Sequence, residues 1–353
     1  MKHLSRRTVL QSGVAAACAY GVPFSGAAAQ SPTKIRFCGS AAVTRPDLGF
    51  MFAGIPTGIY KQLSIDADFV TIAGSAATIQ LVVADQAQLG HVGMLELLSV
   101  KRTNPTLPVQ AVYLNDIKSA YEIVVVEDSP IKSVKELKGK RIGVISLATG
   151  AIPVVRAMLH QAGMNPTDVE FLAVGTGAQA LAALKSGDVQ ALSLFRGGHA
   201  AIENFGINLR YFTPDIPSGV LVANTNQIEK NRDGLVRALQ GVVMNTVYLQ
   251  TNPAAGVRAY WSLFGKPTSN VEKVLEDNSR LITRSAELWK QIGSPGLYGD
   301  MNDKTWLDML DFIGPSIEFD RSKIGSVYTS GLIADINKAD IKRAIDMARA
   351  NKE

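Results

Sequence analysis

Short apolar runs rich in β-branched residues alternate with segments of helical periodicity over the first two thirds of the chain. Such runs predict strands, and apolar positions three or four residues apart predict helices. The predicted strands are 34–38, 65–72, 88–92, 108–114, 122–126, 141–145, 169–174, 190–195 and 218–223, and the predicted helices are 75–84, 94–102, 148–161, 177–186 and 199–205. This alternation predicts an α/β protein with mostly parallel sheets and helices on both faces.

The strand–helix alternation stops near residue 115 and begins again at residue 122, and the chain after residue 227 is almost entirely helical in pattern. Two α/β units followed by helices predict two lobes. Residues 30–118 and 217–353 would form the first lobe, and residues 119–216 the second.

Two chain crossings, near 115–120 and 213–219, would then join the lobes as hinges. Ligands of open α/β sheets bind beyond the carboxyl ends of the strands. We therefore expect the binding site in the cleft between the lobes. Two long amphipathic helices are predicted beyond it, at 231–251 and 268–291.

Residues 1–29 have the pattern of an export signal. A basic start is followed by an apolar stretch and by Ala27-Ala28-Ala29, so cleavage is expected before Gln30 and the mature protein in the periplasm. The string from Ser5 to Leu10, with its paired arginines, predicts twin-arginine export, and a general secretory signal is the alternative. Cys18, which follows three alanines, leaves a lipid anchor open as a further alternative.

Charge and cysteine content narrow the function further. The chain has 36 Lys and Arg against 31 Asp and Glu, and three of these basic residues lie in the predicted signal. No run of basic residues interleaved with aromatic ones follows it, so nucleic acid is not an expected partner. Cys38 is the one cysteine beyond the signal, and no histidine has a second ligand at metal spacing. We expect no metal, no cofactor and no catalytic activity.

Several segments carry a family resemblance. Residues 128–144 read DSPIKSVKELKGKRIGV and residues 178–187 read AQALAALKSG. Together with the order of the units from about residue 33 to 340, they resemble the nitrate/sulfonate/taurine-type periplasmic binding proteins of ABC transporters. The resemblance implies the type II periplasmic binding protein fold, with two α/β lobes joined by two hinge crossings. It also implies that lobe closure captures a small molecule for a membrane permease, and we expect a monomer.

The chain departs from that family in three respects, one of which is that Pro56 interrupts the first helix, where relatives run straight through. Gln88 and Gln190 stand where the family usually has an aspartate, and Phe50 stands in place of a proline near the ligand. The fold is unaffected by these changes, but a particular ligand cannot be carried over.

Candidate ligand contacts lie where strands meet helices. Ser75 and Ala76 open one predicted helix, and the segment with Ser146 and Thr149 opens another. Helix N-termini bind anions through free N–H groups and the helix dipole. The alternative is that these hydroxyl groups simply cap their helices.

Arg196 follows a predicted strand in a glycine-rich turn, where its guanidinium could hold a carboxylate or sulfonate with two hydrogen bonds. A solvated loop arginine is the alternative, and Arg45 is a second candidate. Phe50 and Phe195 would supply an apolar wall. The full set of predicted ligand residues is Ser40, Arg45, Phe50, Ser75, Ala76, Met94, Asn115, Ser146, Thr149, Phe195 and Arg196.

These observations predict a solute-binding protein of an ABC importer that captures a small organic anion, with a neutral or aromatic ligand as the alternative. Two other functions stay open. One is an enzyme of thiamine pyrimidine precursor synthesis on the same fold, and the other is a binding protein that reports to a signalling partner.

Overall fold

A computed structural model describes residues 31–147, 149–314 and 317–351. The predicted signal, with its arginine pair, Cys18 and the cleavage position, lies outside the described residues. Within the described part of the chain, no helix combines the length and the apolar character needed to cross a bilayer. Residues from Pro32 onward form one compact unit.

Five strands form the first sheet, in the order β2-β1-β3-β10-β4. They are β1 (Thr33–Gly39), β2 (Ile65–Thr71), β3 (Leu89–Gly93), β4 (Val109–Asp116) and β10 (Gly219–Asn224). β1 runs parallel to both β2 and β3, whereas β10 lies antiparallel between β3 and β4. Every residue of β10 is buried, as expected for a strand in the middle of a sheet covered on both faces.

The second sheet has the same plan, in the order β7-β6-β8-β5-β9. Its strands are β5 (Ile123–Val126), β6 (Arg141–Val144), β7 (Glu170–Ala173), β8 (Ala191–Ser193) and β9 (Leu209–Phe212). β6 is parallel to β7 and β8, and β5 is antiparallel to β8 and β9. The two-lobed α/β fold is thus confirmed. Each sheet is mixed rather than mostly parallel, because one strand enters each of them in the opposite direction.

The helices are α1 (Gly49–Phe52), α2 (Ile59–Gln62), α3 (Ser75–Val83), α4 (Met94–Thr103), α5 (Ala151–Gln161), α6 (Ala178–Ser186), α7 (Arg196–Glu203), α8 (Thr225–Lys230), α9 (Arg232–Thr251), α10 (Pro253–Phe264), α11 (Val271–Ala286), α12 (Asp303–Ile313), α13 (Ile333–Ile336) and α14 (Ile341–Ala350). We call the part of the molecule around the first sheet the first lobe, and the part around the second sheet the second lobe. The strands of the second sheet all lie within 123–212, and β10 returns the chain to the first sheet.

α9 differs from the amphipathic surface helix that its sequence predicts. From Gly234 to Leu249 it is buried except at Arg237 and Gln240, because α1, α10 and α14 surround it and it also packs on the first sheet. Gly241 permits this packing, since a Cβ there would lie 2.3 Å from the Tyr60 ring. α9 is therefore the central helix of the first lobe's core.

Two helices of the C-terminal part connect the lobes. α11 packs on α9 and α10 and also on α7 of the second lobe, and α12 packs on α5. Trp306 and other apolar residues of α12 belong to a core cluster that reaches from the first sheet to Ile142 in the second. The lobes are thus held together by side-chain packing as well as by the two crossings.

α7 begins earlier than predicted. Arg196, Gly197 and Gly198 form its first turn, with Phe195 as an extended N-cap, so these glycines do not form a loop. The Arg196 N–H donates to the Ala120 carbonyl at 2.9 Å, which fixes this helix start against the first crossing.

Candidate ligand-binding cleft

A cleft of about 550 Å³ lies between the two lobes. Its walls come from strand ends of both sheets, from both crossings and from α11. Six of the predicted ligand residues line it, namely Ser40, Arg45, Phe50, Ser75, Phe195 and Arg196. Sequence reasoning did not single out the other polar and aromatic residues that line it, which include Asp47, His91, Glu96, Asp116, Tyr121, Ser218, Ser285 and Trp289.

The structure places the other five predicted residues outside the cleft lining. Met94 is buried in the core, and Asn115 is buried with its Nδ2 donating to Asp116 Oδ1 at 2.7 Å. Ala76 lines a separate apolar groove, and the Ser146 side chain is exposed to solvent. Thr149 Oγ1 accepts a hydrogen bond from the Ala151 N–H at 3.4 Å, at the start of α5.

Both serines of the cleft are engaged with the protein itself. Ser75 Oγ accepts the Gly93 N–H at 3.1 Å, which ties the start of α3 to the end of β3. Ser40 Oγ donates to the His91 carbonyl and lies 2.9 Å from Thr78 Oγ1. These hydroxyl groups hold the strand ends in register.

Arg45 is paired with its neighbour Asp47. Its Nε and Nη2 donate to the two carboxylate oxygens at 3.0 and 3.1 Å, and its guanidinium carbon lies 4.6 Å from the centre of the Phe195 ring. Burial alone would lower the pKa of Arg45, but the charge and hydrogen bonds of Asp47 outweigh burial and raise that pKa. The Arg45 charge is therefore largely matched within the protein.

Arg196 is likewise not a free cation, which argues against the anion clamp that the sequence analysis considered at this residue. Its Nη1 donates to Glu287 Oε2 at 2.6 Å, and its Nη2 donates to Glu122 Oε1. The guanidinium also lies over the Tyr211 ring, 5.2 Å from its centre. The side chain is only 8% exposed, so two carboxylates neutralise its charge in a poorly solvated place.

The carboxylate of Glu122 is buried and lies close to three other side chains. It accepts hydrogen bonds from Arg196 and from Thr213 Oγ1, and the Nδ1 atom of His199 lies 3.8 Å from Oε2. His199 Nε2 accepts the Leu194 N–H at 2.9 Å, which keeps that nitrogen unprotonated. Burial lowers the pKa of His199, so the ring is neutral at physiological pH.

A second set of ion pairs connects α7 with α11. Arg284 donates from Nε and Nη2 to the carboxylate of Glu203 at 2.8 and 2.7 Å, and from Nη1 to Glu287 Oε1 at 3.1 Å. Together with Arg196, these residues form what we call the α7–α11 ion-pair cluster. It joins the second lobe to α11 along one side of the cleft.

Glu96 and Asp116 are carboxylates of the cleft without an arginine or lysine partner among the described residues. Glu96 is the third residue of α4, and desolvation raises its pKa even though its own N–H donates to it. Asp116 ends β4, its side chain is 10% exposed, and its Oδ2 lies 3.4 Å from His91 Nε2. A signal for both existed in the sequence, because each follows a predicted strand end at the edge that faces the cleft.

Aromatic side chains form the apolar wall. Phe50 packs edge-on against Trp289 and against His91, with ring centres 5.6 and 5.1 Å apart. Tyr121 stands at the first crossing, and burial raises its pKa. Trp289 lies beyond α11, far along the chain from the strands, so no local pattern could place it here.

Among the described residues, no three His, Cys, Asp or Glu side chains come together as metal ligands. Cys38 is buried at the end of β1, and its Sγ lies 3.8 Å from Thr78 Oγ1.

Comparison with models of protein families identifies the family of this chain. The model of the NMT1/THI5-like family matches residues 45–255, which is more than half of the chain. The chain belongs to the NMT1/THI5-like family. The stretch that matches the NMT1/THI5-like model contains Glu96, Asp116 and Arg196, whereas α11 and Trp289 lie beyond it.

One curated protein is similar to this NMT1/THI5-like chain in sequence. It comes from Haemophilus influenzae, is named as a thiamine biosynthesis protein, and is 25% identical over 233 residues, which is 62% of this chain and 69% of that protein.

Solved structures share the fold. A protein from Bordetella bronchiseptica has a TM-score of 0.58 at 20% identity and covers 89% of this chain and 97% of its own. The aliphatic sulphonate-binding protein SsuA of Escherichia coli has a TM-score of 0.55 at 19% identity, with 70% and 84% covered. The nitrate-binding protein NrtA of Synechocystis has a TM-score of 0.55 at 13% identity, with 91% and 89% covered. The resemblance inferred from the sequence is confirmed at the level of family and fold.

Proposed function

We propose that this protein is the periplasmic solute-binding component of an ABC importer, which captures a small molecule between its lobes and delivers it to a membrane permease. The observation that carries the proposal is the cleft of about 550 Å³ lined by both lobes and both crossings. That volume falls in the range of small-molecule sites. The names of SsuA and NrtA, two periplasmic binding proteins of this fold, support the same role.

The mechanism follows from where the lining residues lie. Phe50, Glu96 and Trp289 belong to the first lobe and its helices, whereas Ile145, Thr176 and Phe195 belong to the second. A ligand that touches both groups makes all its contacts only when the lobes are closed. Binding therefore shifts the population toward the closed form, which the permease recognises. Residues 30–118 and 217–353 would move as one body against residues 119–216.

An enzyme of thiamine pyrimidine precursor synthesis is the second candidate, and the name of the Haemophilus influenzae relative is what favours it. Against it stands the chemistry of the cleft. The enzymes of this fold carry a cysteine-rich motif, whereas Cys38 is buried in β1 and does not line the cleft. The cleft composition fits reversible binding better.

Thermal melting against a broad solute panel tests the proposed function. A ligand that binds only the native protein stabilises it by about 2.7 kcal/mol at a hundredfold excess over Kd. We expect a saturable rise in Tm with one chemical class, accompanied by a smaller radius of gyration in X-ray scattering as the lobes close.

A matched pair of variants supplies the control. Ala42 is exposed at the cleft wall and Ala182 is exposed on α6, away from the cleft. Ala42→Trp should abolish the ligand-induced rise, and Ala182→Trp should retain it. If no solute raises the Tm of the unchanged protein, the binding role is wrong.

A further inference from the structure

We propose that the cleft takes a small organic cation, an amine, amidine or guanidine, held between the carboxylates of Glu96 and Asp116. This inference rests on the proposed function and adds the charge of the ligand to it. It replaces the organic anion that the sequence alone predicts.

The distribution of charge in the cleft is the first argument. Each arginine that lines the cleft already has a carboxylate partner, Asp47 for Arg45, and Glu122 with Glu287 for Arg196. Glu96 has no cationic partner among the described residues. Asp116 has only the Asn115 amide and the more distant His91 ring. The negative charge that remains for a ligand to neutralise is therefore that of two carboxylates.

The position of the two carboxylates is the second argument. Gly93 of β3 and Gly219 of β10 are directly opposite each other at the end of the first sheet. A Cβ on Gly93 would lie 1.9 Å from Glu96 Oε2, and a Cβ on Gly219 would lie 2.1 Å from Asp116 Oδ2. Opposite residues of antiparallel strands face the same side, with Cβ atoms about 5 Å apart. The two carboxylates therefore lie over one face of this glycine pair.

That arrangement limits their separation. Adding the two short distances to the Cβ–Cβ spacing puts Glu96 Oε2 and Asp116 Oδ2 no more than about 10 Å apart. A single ammonium with N···O distances of about 2.8 Å reaches both oxygens only if they are within about 5.6 Å of each other, whereas an amidinium or guanidinium, with donors on separate nitrogens, can bridge a wider gap. The absence of side chains on the two glycines is what keeps this floor free for the carboxylates.

The helix ends supply the third argument, because they explain why an anion is not expected. Glu96 lies in the first turn of its own helix, α4. Its Oε1 would also be 3.1 Å from a Cβ on Gly150, the N-cap of α5 in the second lobe. The positive ends of both helices thus already face a carboxylate of the protein, which occupies the place of an anionic ligand.

The aromatic wall of the cleft indicates the nature of the uncharged part of the ligand. Phe50, Tyr121, Phe195 and Trp289 all line it, and flat apolar bodies pack well against such side chains. A cation on an aromatic or compact apolar body therefore fits both parts of the cleft. Cations also interact favourably with aromatic ring faces.

Calorimetric titration with benzamidine, benzamide and benzoate tests the charge directly, because the three differ little in shape and carry charges of +1, 0 and −1. A panel of alkylamines and alkylguanidines accompanies them. We expect cations to bind more tightly than their neutral counterparts and benzoate not to bind.

Glu96→Gln and Asp116→Asn should each weaken cation binding by about 10- to 100-fold, as expected for the loss of a charged hydrogen-bond partner. Glu170→Gln removes an exposed carboxylate of β7 outside the cleft and should change nothing. Melting curves of all variants establish that they are folded.

The outcomes separate the two proposals. Binding of benzoate or of neutral solutes while every cation is silent overturns the cation site and leaves the solute-binding role standing. Cation binding that is indifferent to both Glu96→Gln and Asp116→Asn also overturns the site. Silence with every solute overturns both proposals together.

Discussion

At the residue scale, the position of the Glu96 carboxylate lowers the stability of the ligand-free protein and leaves its charge available to a ligand. Its pKa is raised because burial strips water from the charged form, and no cation of the described chain compensates. Tyr121 lies close enough for the two charges to interact, and the other titratable groups of the same cleft are Arg45, Asp47, His91, Asp116 and Arg196. Buried charges of this kind concentrate at functional sites. We therefore expect the ligand-free protein to be more stable without this charge than with it.

Glu96→Gln should accordingly raise Tm at pH 8 and have little effect near pH 4. The pKa of Glu96 is higher in the folded than in the unfolded protein, so the native state binds more protons between these two pKa values. The free energy of unfolding therefore falls as the pH rises through that interval. The amide carries no charge and removes this dependence. Melting of both proteins from pH 4 to 8 in the absence of ligand checks it, and an effect of the same size at every pH would contradict the argument.

Gly219→Ala is a second change at the residue scale. The new Cβ would lie 2.1 Å from Asp116 Oδ2 and 2.7 Å from His91 Nε2, so both groups must move. We expect a loss of about 1–3 kcal/mol in the free energy of unfolding, the usual range for overpacking, together with weaker cation binding. Gly325→Ala is the matched control, since nothing lies within 4 Å of its Cβ. Urea denaturation measures the free energy of unfolding of both variants. Equal losses would show that the effect comes from replacing a glycine and not from crowding by the new Cβ.

The position of the cleft could be predicted from the sequence more accurately than the charge of its lining. Ser40, Arg45, Phe50 and Phe195 were placed in the cleft because strand ends meet there. The pairing of Arg196 with Glu122 and Glu287 could not be predicted, since its partners are 74 and 91 residues away in sequence. A free charge and a paired charge look the same in one sequence.

At the scale of elements, α7 and α11 form a contact between the lobes that is rich in ion pairs. Arg284 makes two hydrogen bonds to Glu203, whose side chain is only 7% exposed, and these hydrogen bonds are the largest cause of its raised pKa. Removal of Arg284 leaves a buried carboxylate without its partner, which is costly. The pair therefore matters more to stability than the many surface pairs of the molecule do.

A double-mutant cycle with Arg284→Met and Glu203→Gln should give a coupling free energy of about 1–3 kcal/mol, between the ranges for exposed and buried pairs. Arg284 is partly exposed, so solvent screening keeps the coupling below the buried limit. The exposed pair Lys304–Asp308 on α12 supplies the reference and should give about 0.5 kcal/mol or less. Equal couplings in the two cycles would contradict the special role of the α7–α11 contact.

Element prediction succeeded where the signal is local and failed where tertiary contacts decide. The strands of both sheets follow from their apolar runs, apart from β9, whose half-buried sequence lacks a continuous run. The start of α7 was placed three residues late because two glycines look like a loop. α9 was assigned an exposed face, but neighbouring helices cover nearly all of it.

At the scale of the whole molecule, the division into lobes follows from the order of elements along the chain. A second α/β pattern inserted within the first predicts two crossings, and the two sheets indeed divide the strands in this way. The contacts of α11 and α12 with both lobes could not be predicted from the sequence, because amphipathic helices of similar pattern can pack on either lobe. Such contacts are set by surface complementarity over long sequence separations.

The place of β10 has a consequence for the order in which the protein is made. β10 separates β3 from β4, so the first sheet has a gap in its middle until residues 219–224 have been synthesised. All strands of the second sheet are available once residue 212 has been added. The lobe that begins first on the ribosome is therefore completed last. Until then β3 and β4 each expose the edge that β10 later covers, and the emerging chain depends on its surroundings to keep those edges from pairing with another molecule.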